Sequence, residues 1–156
     1  MNMTKNLILL IAAFMLNINL AAGQALPEEK TITSLSSFGV EETLDRLRAS
    51  LQDLGINLVA EVDHAKAAAD KGLKLRPTHL LIFGNPLVGT SLMQADQRTG
   101  LELPLKLLVW QDENGQVYLS YHQPNDLKRD YKLSEQQAVL DKMGKVYEQL
   151  KQAVEK

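Results

Sequence analysis

Residues 80–110, LLIFGNPLVGTSLMQADQRTGLELPLKLLVW, decide the fold. The stretch opens on an apolar run and breaks at Gly84-Asn85-Pro86. It continues with helical spacing from Leu87 to Gln97 and closes on a second apolar run, residues 105–111. Both runs have the length and the β-branched or aromatic content of buried strands. Between them, Asn85-Pro86, Gly89-Thr90, Gly100 and Leu103-Pro104 concentrate the turn chemistry of the chain. A small pocket is therefore expected near residues 79–104.

Working outward, Asp112-Glu113-Asn114-Gly115 is a strong turn signal, because Asn-Gly accepts positive φ. Residues 116–121 complete a hairpin with Val117, Leu119 and Tyr121 on one face. Upstream, residues 79–83 read as a third strand and 31–38 as a first. Residues 56–62 read as a second, with Ile56, Leu58, Ala60 and Val62 sharing a face. Residues 40–54 switch to helical spacing, with Val40, Leu44, Leu47, Leu51 and Leu54 on one side. Acids come early and bases later in that helix, as its dipole prefers, and Gly55 suits the C′ position. Residues 64–71 form an Ala-rich helix stopped by Gly72, and 124–132 read as loop. Ser134 with Gln137 three residues on reads as a capping box opening a last helix. That helix should bury Val139, Met143, Val146, Leu150 and Val154. Helices and strands are intermixed, yet the 105–121 hairpin must be antiparallel. The expected fold is α+β: a single compact domain, mostly antiparallel sheet with amphipathic helices packed on it, and a C-terminal helix.

A chain of 156 residues suggests one domain. With 45% hydrophobic and 23% charged residues, it resembles neither a disordered chain nor a fibre. Net charge is −2 with signs interspersed, which argues against a nucleic-acid partner. There is no cysteine, hence no disulfide, no thiolate nucleophile and no Cys-ligated metal. Residues 1–25 read as a secretory signal peptide: Lys5, an apolar segment over 7–16, then Ala21-Ala22-Gly23-Gln24-Ala25. The apolar segment is shorter than the roughly 20 residues of a spanning helix. Cleavage is expected after Gly23 or Ala25, leaving residues 26–156 as an exported, periplasmic domain with no stable membrane span.

From Phe38 to Pro124 the chain resembles the DUF302 family of small bacterial proteins. Phe38 followed by an amphipathic helix and a strand, then the Gly84-Asn85-Pro86 turn, carry the first half of the likeness. Leu92-Met93, Asp96, Gly100-Leu101, Leu103-Pro104, an apolar strand, an acidic-Gly turn and a strand ending in Pro124 carry the second. The resemblance implies a compact α+β fold that often pairs as a homodimer. It implies no activity, since the family lacks an established reaction. Many members carry a cysteine or polar residue after the Leu-Pro; here Leu105 stands there, so no thiol role carries over.

Several residues could carry chemistry. Asn85-Pro86 followed by Thr90 resembles a loop feeding a helix N-terminus, where N–H groups can hold an anion. The several glycines and the lysine of a phosphate loop are missing, which favours a turn, with Thr90 or Gly89 capping the helix. His79 lies in an apolar strand, as a core or interface residue or a pocket wall. His64 follows Asp63 and reads as a capping or surface residue, and His122 ends a strand. No HxxxH or HxH spacing occurs, so no metal site is assigned, and Met93 and Met143 read as packing. Asp96, Arg98, Glu102 and Lys106 bring charge to the central loop, and Asp96 with Glu102 could work as acid and base. Gly89-Thr90-Ser91 lacks a nucleophile-elbow pattern, and no catalytic residue is assigned. Trp110 and Tyr118 form either an outward contact patch or a surface covered by the terminal helix.

The leading expectation is a non-enzymatic small-ligand-binding or protein-interaction module acting as a homodimer. Its candidate ligand-binding residues are His79, Asn85, Thr90, Asp96 and Glu102, and any cofactor is unknown. The alternatives are a metal or haem carrier using His79 or His122, and an acid–base enzyme using Asp96 and Glu102.

Overall fold

The computed structural model describes residues 31–155; the expected signal peptide lies outside them. Five strands form one sheet in the order β1-β5-β4-β3-β2, with every neighbouring pair antiparallel. They are β1 (Thr31–Leu35), β2 (Asn57–Asp63), β3 (Thr78–Gly84), β4 (Leu105–Gln111) and β5 (Val117–His122). The helices are α1 (Val40–Asp53), α2 (His64–Ala69), α3 (Pro86–Ala95) and α4 (Gln137–Gln152), with 3-10 turns at Gln97–Leu101 and Pro124–Arg129.

Alternation decides what each strand buries. Leu81 and Phe83 of β3, Leu107 and Val109 of β4, and Val117, Leu119 and Tyr121 of β5 point to one face and are buried. There they meet Leu44, Leu47 and Leu51 of α1 and Tyr147 and Leu150 of α4. The alternate residues Leu80, Ile82, Leu108, Trp110 and Tyr118 point the other way and are half-buried. An antiparallel sheet can afford one face toward solvent, and this one has both long helices on the same side. A second cluster, Leu92, Leu133, Leu140 and Met143, joins α3 to the start of α4 at one end of the sheet.

Four local readings change. The first strand ends at Leu35, and Phe38 instead packs on the core beside α1. In β2 a bulge makes Val59 an extra residue: Leu58 pairs with Phe83 and Ala60 with Ile82. Two residues then oppose one, so Leu58 and Val62 fall on opposite faces rather than sharing one. Residues 124–129 form a 3-10 turn rather than open loop. The last helix starts at Gln137, not after Ser134; its N-cap is Gln136, which makes no side-chain capping bond. The 3-10 bond pattern around Leu133 and Gln136 holds the chain there instead. With the later start, Leu140 and Tyr147 are buried, while Val139 and Val146 are half-buried.

Candidate functional site

At the end of β3 the chain turns through Asn85, whose Oδ1 accepts the Leu87 N–H at 2.9 Å. Asn85 is thus the N-cap of α3, with Pro86 in the first turn, where a missing N–H costs nothing. Thr90 and Gly89 lie inside the helix and do not cap it. Leu92 faces inward and is fully buried. Val88, Gly89 and Met93 instead face a cavity of about 280 Å³. Leu103, Pro104 and Leu105 form its second wall, and Val59 and Met143 contribute from β2 and α4. The Leu103–Pro104 peptide is cis.

Three glycines line these walls, and a Cβ at each would meet its neighbour at ordinary contact distance. A Cβ on Gly84 would stand 3.5 Å from Pro104 Cβ, and one on Gly89 would stand 3.5 Å from Leu103 Cδ1. On Gly100 it would stand 3.4 Å from Met93 Sδ. Among the lining side chains only Asn85 and Thr90 are polar, and Asn85 already serves the helix cap. The cavity can therefore hold a small apolar body; it holds no acid, base or nucleophile pair.

The candidate residues separate. Asn85 and Thr90 line the cavity. His79 sits near the opposite end of β3, five residues from Gly84 and so roughly 17 Å away at strand rise. Its side chain is 12% exposed, with Nδ1 3.7 Å from Glu61 Oε1 and Nε2 4.0 Å from Asp63 Oδ1. Nδ1 makes no hydrogen bond. Glu61 is gripped by Arg48 through bonds of 2.7 and 3.0 Å, and this pairing pushes the guanidinium pKa up.

Asp96 ends α3 and opens the next 3-10 turn. Its carboxylate accepts from Arg98 Nε and Nη2 and from the Lys132 N–H. The Arg98 guanidinium first, and that N–H second, hold its carboxyl well below the usual carboxylate range. It is a strut between two loops. Glu102 accepts from the Tyr131 phenol at 2.8 Å, which pushes that phenol's pKa up, and it lines a different hollow together with His122. Asp96 and Glu102 thus serve separate partners. His64 is exposed in the first turn of α2, where Asp63 caps by accepting the Lys66 N–H at 2.8 Å. Among the described residues, no group of three or more His, Asp or Glu is placed to hold a metal ion.

Leu103 lies within the stretch of residues 79–104 expected to hold a pocket, whereas the cavity walls Val59 and Met143 lie outside it. The bulge that turns Val59 has no period to announce it, and Met143 carries only a core-packing signal. Trp110 and Tyr118 stack outward with ring centroids 4.8 Å apart, and the indole Nε1 donates to Ser120 Oγ at 2.9 Å. The terminal helix does not cover them: its Tyr147 stacks at 4.0 Å on Tyr121, across the sheet.

A five-stranded antiparallel sheet, two long helices on one face and an apolar cavity at one end define a small α+β domain. Residues 31–155 match the family described as "Domain of unknown function DUF302", and the chain belongs to it. The crystal structure of an uncharacterized conserved DUF302 protein from Bacillus stearothermophilus is similar, with a TM-score of 0.64 at 23% identity. The likeness covers 81% of this chain and 97% of that one, and it shows the fold. Over 102 residues the chain is 41% identical to "Fluoride-specific ion channel FluC 1" of Brucella suis biovar 1 (strain 1330) and to its namesake of Brucella abortus biovar 1 (strain 9-941). These matches take in 65% of this chain but only 40% and 38% of those proteins, so it spans about two-fifths of their length. No helix among the described residues is long and apolar enough to cross a membrane.

Proposed function

We propose that this chain is a periplasmic, non-enzymatic binding module that takes a small apolar molecule into the cavity beside α3 and acts as a homodimer. The cavity itself carries the reading. Its size approaches the lower end of small-molecule sites, about 300–1,000 Å³, and its walls are apolar with two polar residues among them. Such a site binds by burying apolar area and offers no proton-transfer pair.

Gly89→Leu tests it. The first atom of the new side chain would stand at ordinary contact distance from Leu103, and the rest would fill the cavity. Replacing glycine in a helix interior gains up to about 1 kcal/mol of helix propensity, which offsets part of the cost of the added volume, and a thermal melt checks that the variant is folded. Titrated with toluene or 1-octanol, the wild-type protein shifts the amide resonances of residues 84–93, and Gly89→Leu does not. Shifts that persist in Gly89→Leu, or none in the wild type, overturn the proposal.

A second reading comes from the Brucella relatives. There a stretch like this one lies in longer proteins named as fluoride channels. A domain joined to a membrane protein in one organism can serve as its separate partner in another, so a channel of that class is a candidate partner. Loss of fluoride tolerance on deleting this chain supports the pairing; unchanged tolerance removes it.

A further inference from the structure

A second hollow, adjoining the apolar cavity at Leu105, opens where β4 and β5 part. Their pairing runs from Gln111↔Val117 to Leu108↔Ser120 and stops. Two residues before Leu108, the main chain of Lys106 bonds to the Tyr147 phenol of α4, with its N–H donating at 3.3 Å and its carbonyl accepting at 3.0 Å. The strand ends splay around that hydroxyl and leave a space of about 380 Å³. Leu80, Leu105, Leu108 and Leu127 make its walls apolar, and Glu102, Lys106 and His122 bring polar groups to it.

Both formal charges are positioned by neutral partners. Lys106 Nζ donates to the main-chain oxygens of Glu102 and Pro104 at 3.0 and 3.1 Å. The Glu102 carboxylate accepts from the Tyr131 hydroxyl at 2.8 Å. The hollow therefore presents one cation and one anion above an apolar bed. A simple anion would meet Glu102, a simple cation would meet Lys106, and a neutral apolar body would strip water from both charges without replacing it. A molecule carrying both signs and an apolar side chain satisfies all three surfaces.

We propose that this hollow binds a zwitterionic α-amino acid with an apolar side chain. Lys106 receives its carboxylate, Glu102 its ammonium, and the leucine walls its side chain. The hollow shares Leu105 with the cavity beside α3 but takes its charged groups from Glu102 and Lys106, which do not line that cavity.

The test is calorimetric titration at pH 7 with leucine, with 4-methylpentanoate (no ammonium) and with 3-methylbutylamine (no carboxylate). Leucine binds the wild-type protein, and each analogue binds at least tenfold more weakly. Lys106→Met and Glu102→Gln each weaken leucine at least tenfold; the glutamine keeps an oxygen for Tyr131. The analogues probe the wild-type fold and so decide the matter even where a variant fails to fold. The proposal is overturned if leucine does not bind at millimolar concentration or the analogues match it. It is equally overturned if folded Lys106 and Glu102 variants keep full affinity.

Discussion

The hydroxyl of Tyr147 stands in the sheet for a missing strand residue, serving both main-chain groups of Lys106 at 3.3 and 3.0 Å. Burial pushes the phenol's pKa up, so it remains a donor at any physiological pH. Tyr147→Phe keeps the ring stacked on Tyr121 and edge-on to Phe83 but leaves the part-buried N–H and C=O of Lys106 without the phenol. The expected loss is roughly 1–3 kcal/mol, read as a lower urea midpoint at unchanged slope. An unchanged midpoint would mean that water satisfies Lys106 as well as the phenol does.

Leucines on α3 separate packing from propensity. Leu92 is fully buried against Leu133, Leu140 and Met143, whereas Leu87 is 83% exposed. Leu92→Ala should cost about 2–5 kcal/mol, and Leu87→Ala no more than about 0.5 kcal/mol. Chemical denaturation of the two variants side by side checks the orientation of the helix; equal losses would contradict it.

Ser134 shows where pattern and structure part. Read as a capping box, it should cost about 1 kcal/mol when replaced by alanine. The helix begins at Gln137, and Ser134 is exposed outside it. Ser134→Ala should therefore change stability by no more than about 0.5 kcal/mol in thermal unfolding. A full cap penalty would restore the earlier helix start.

What was legible in the chain follows from which signals are local. The Asn114-Gly115 turn and the alternation of Val117, Leu119 and Tyr121 specify the β4–β5 hairpin by themselves, and Gly115 has φ of 80° there. The Leu44-Leu47-Leu51 spacing likewise specifies α1 and its buried face. The β2 bulge is not local: Val59 is expelled by a two-against-one pairing with β3 that no period records. Nor could spacing place His79, whose apolar neighbours suggest core. Its surroundings come from the register that pairs it with Asp63. The cavity is assembled from β2, α3, the Leu103-Pro104 segment and α4. Asn85 and Thr90 lie inside the turn-rich stretch of residues 84–104 that drew attention to them; Val59 and Met143 lie outside it.

Asp96 should make the fold acid-sensitive. Its side chain is only 7% exposed, and its charge is held by Arg98 and by the Lys132 N–H. The folded-state pKa lies below the ordinary 3.8 of the unfolded chain. Its contribution is thus complete above about pH 4 and is lost as pH falls through the folded value. Asp96→Asn should be less stable than wild type at pH 7, with the gap narrowing below pH 4. Melting temperatures at pH 7, 4 and 3 check this, and a gap constant across that range would remove Asp96 as the cause.

Tyr118 offers the sharpest test of self-association. With Trp110 it forms an aromatic stack on the half-buried face that neither α1 nor α4 covers. A homodimer can close that face sheet against sheet, at the roughly 10 Å spacing that interdigitated side chains allow. Charge is the disruptive element there, because a carboxylate buried between two sheets has no partner. Within one chain, Tyr118→Glu gives up the stack on Trp110 and the phenol's bond to Asp112, touches none of the core beneath α1 and α4, and should leave the monomer folded. Sedimentation equilibrium at micromolar concentration should give two chains for the wild type and one for Tyr118→Glu. A monomeric wild type would end the homodimer proposal. A dimeric Tyr118→Glu would move the interface elsewhere on the domain and leave the cavity beside α3 as the part of the function still to be tested.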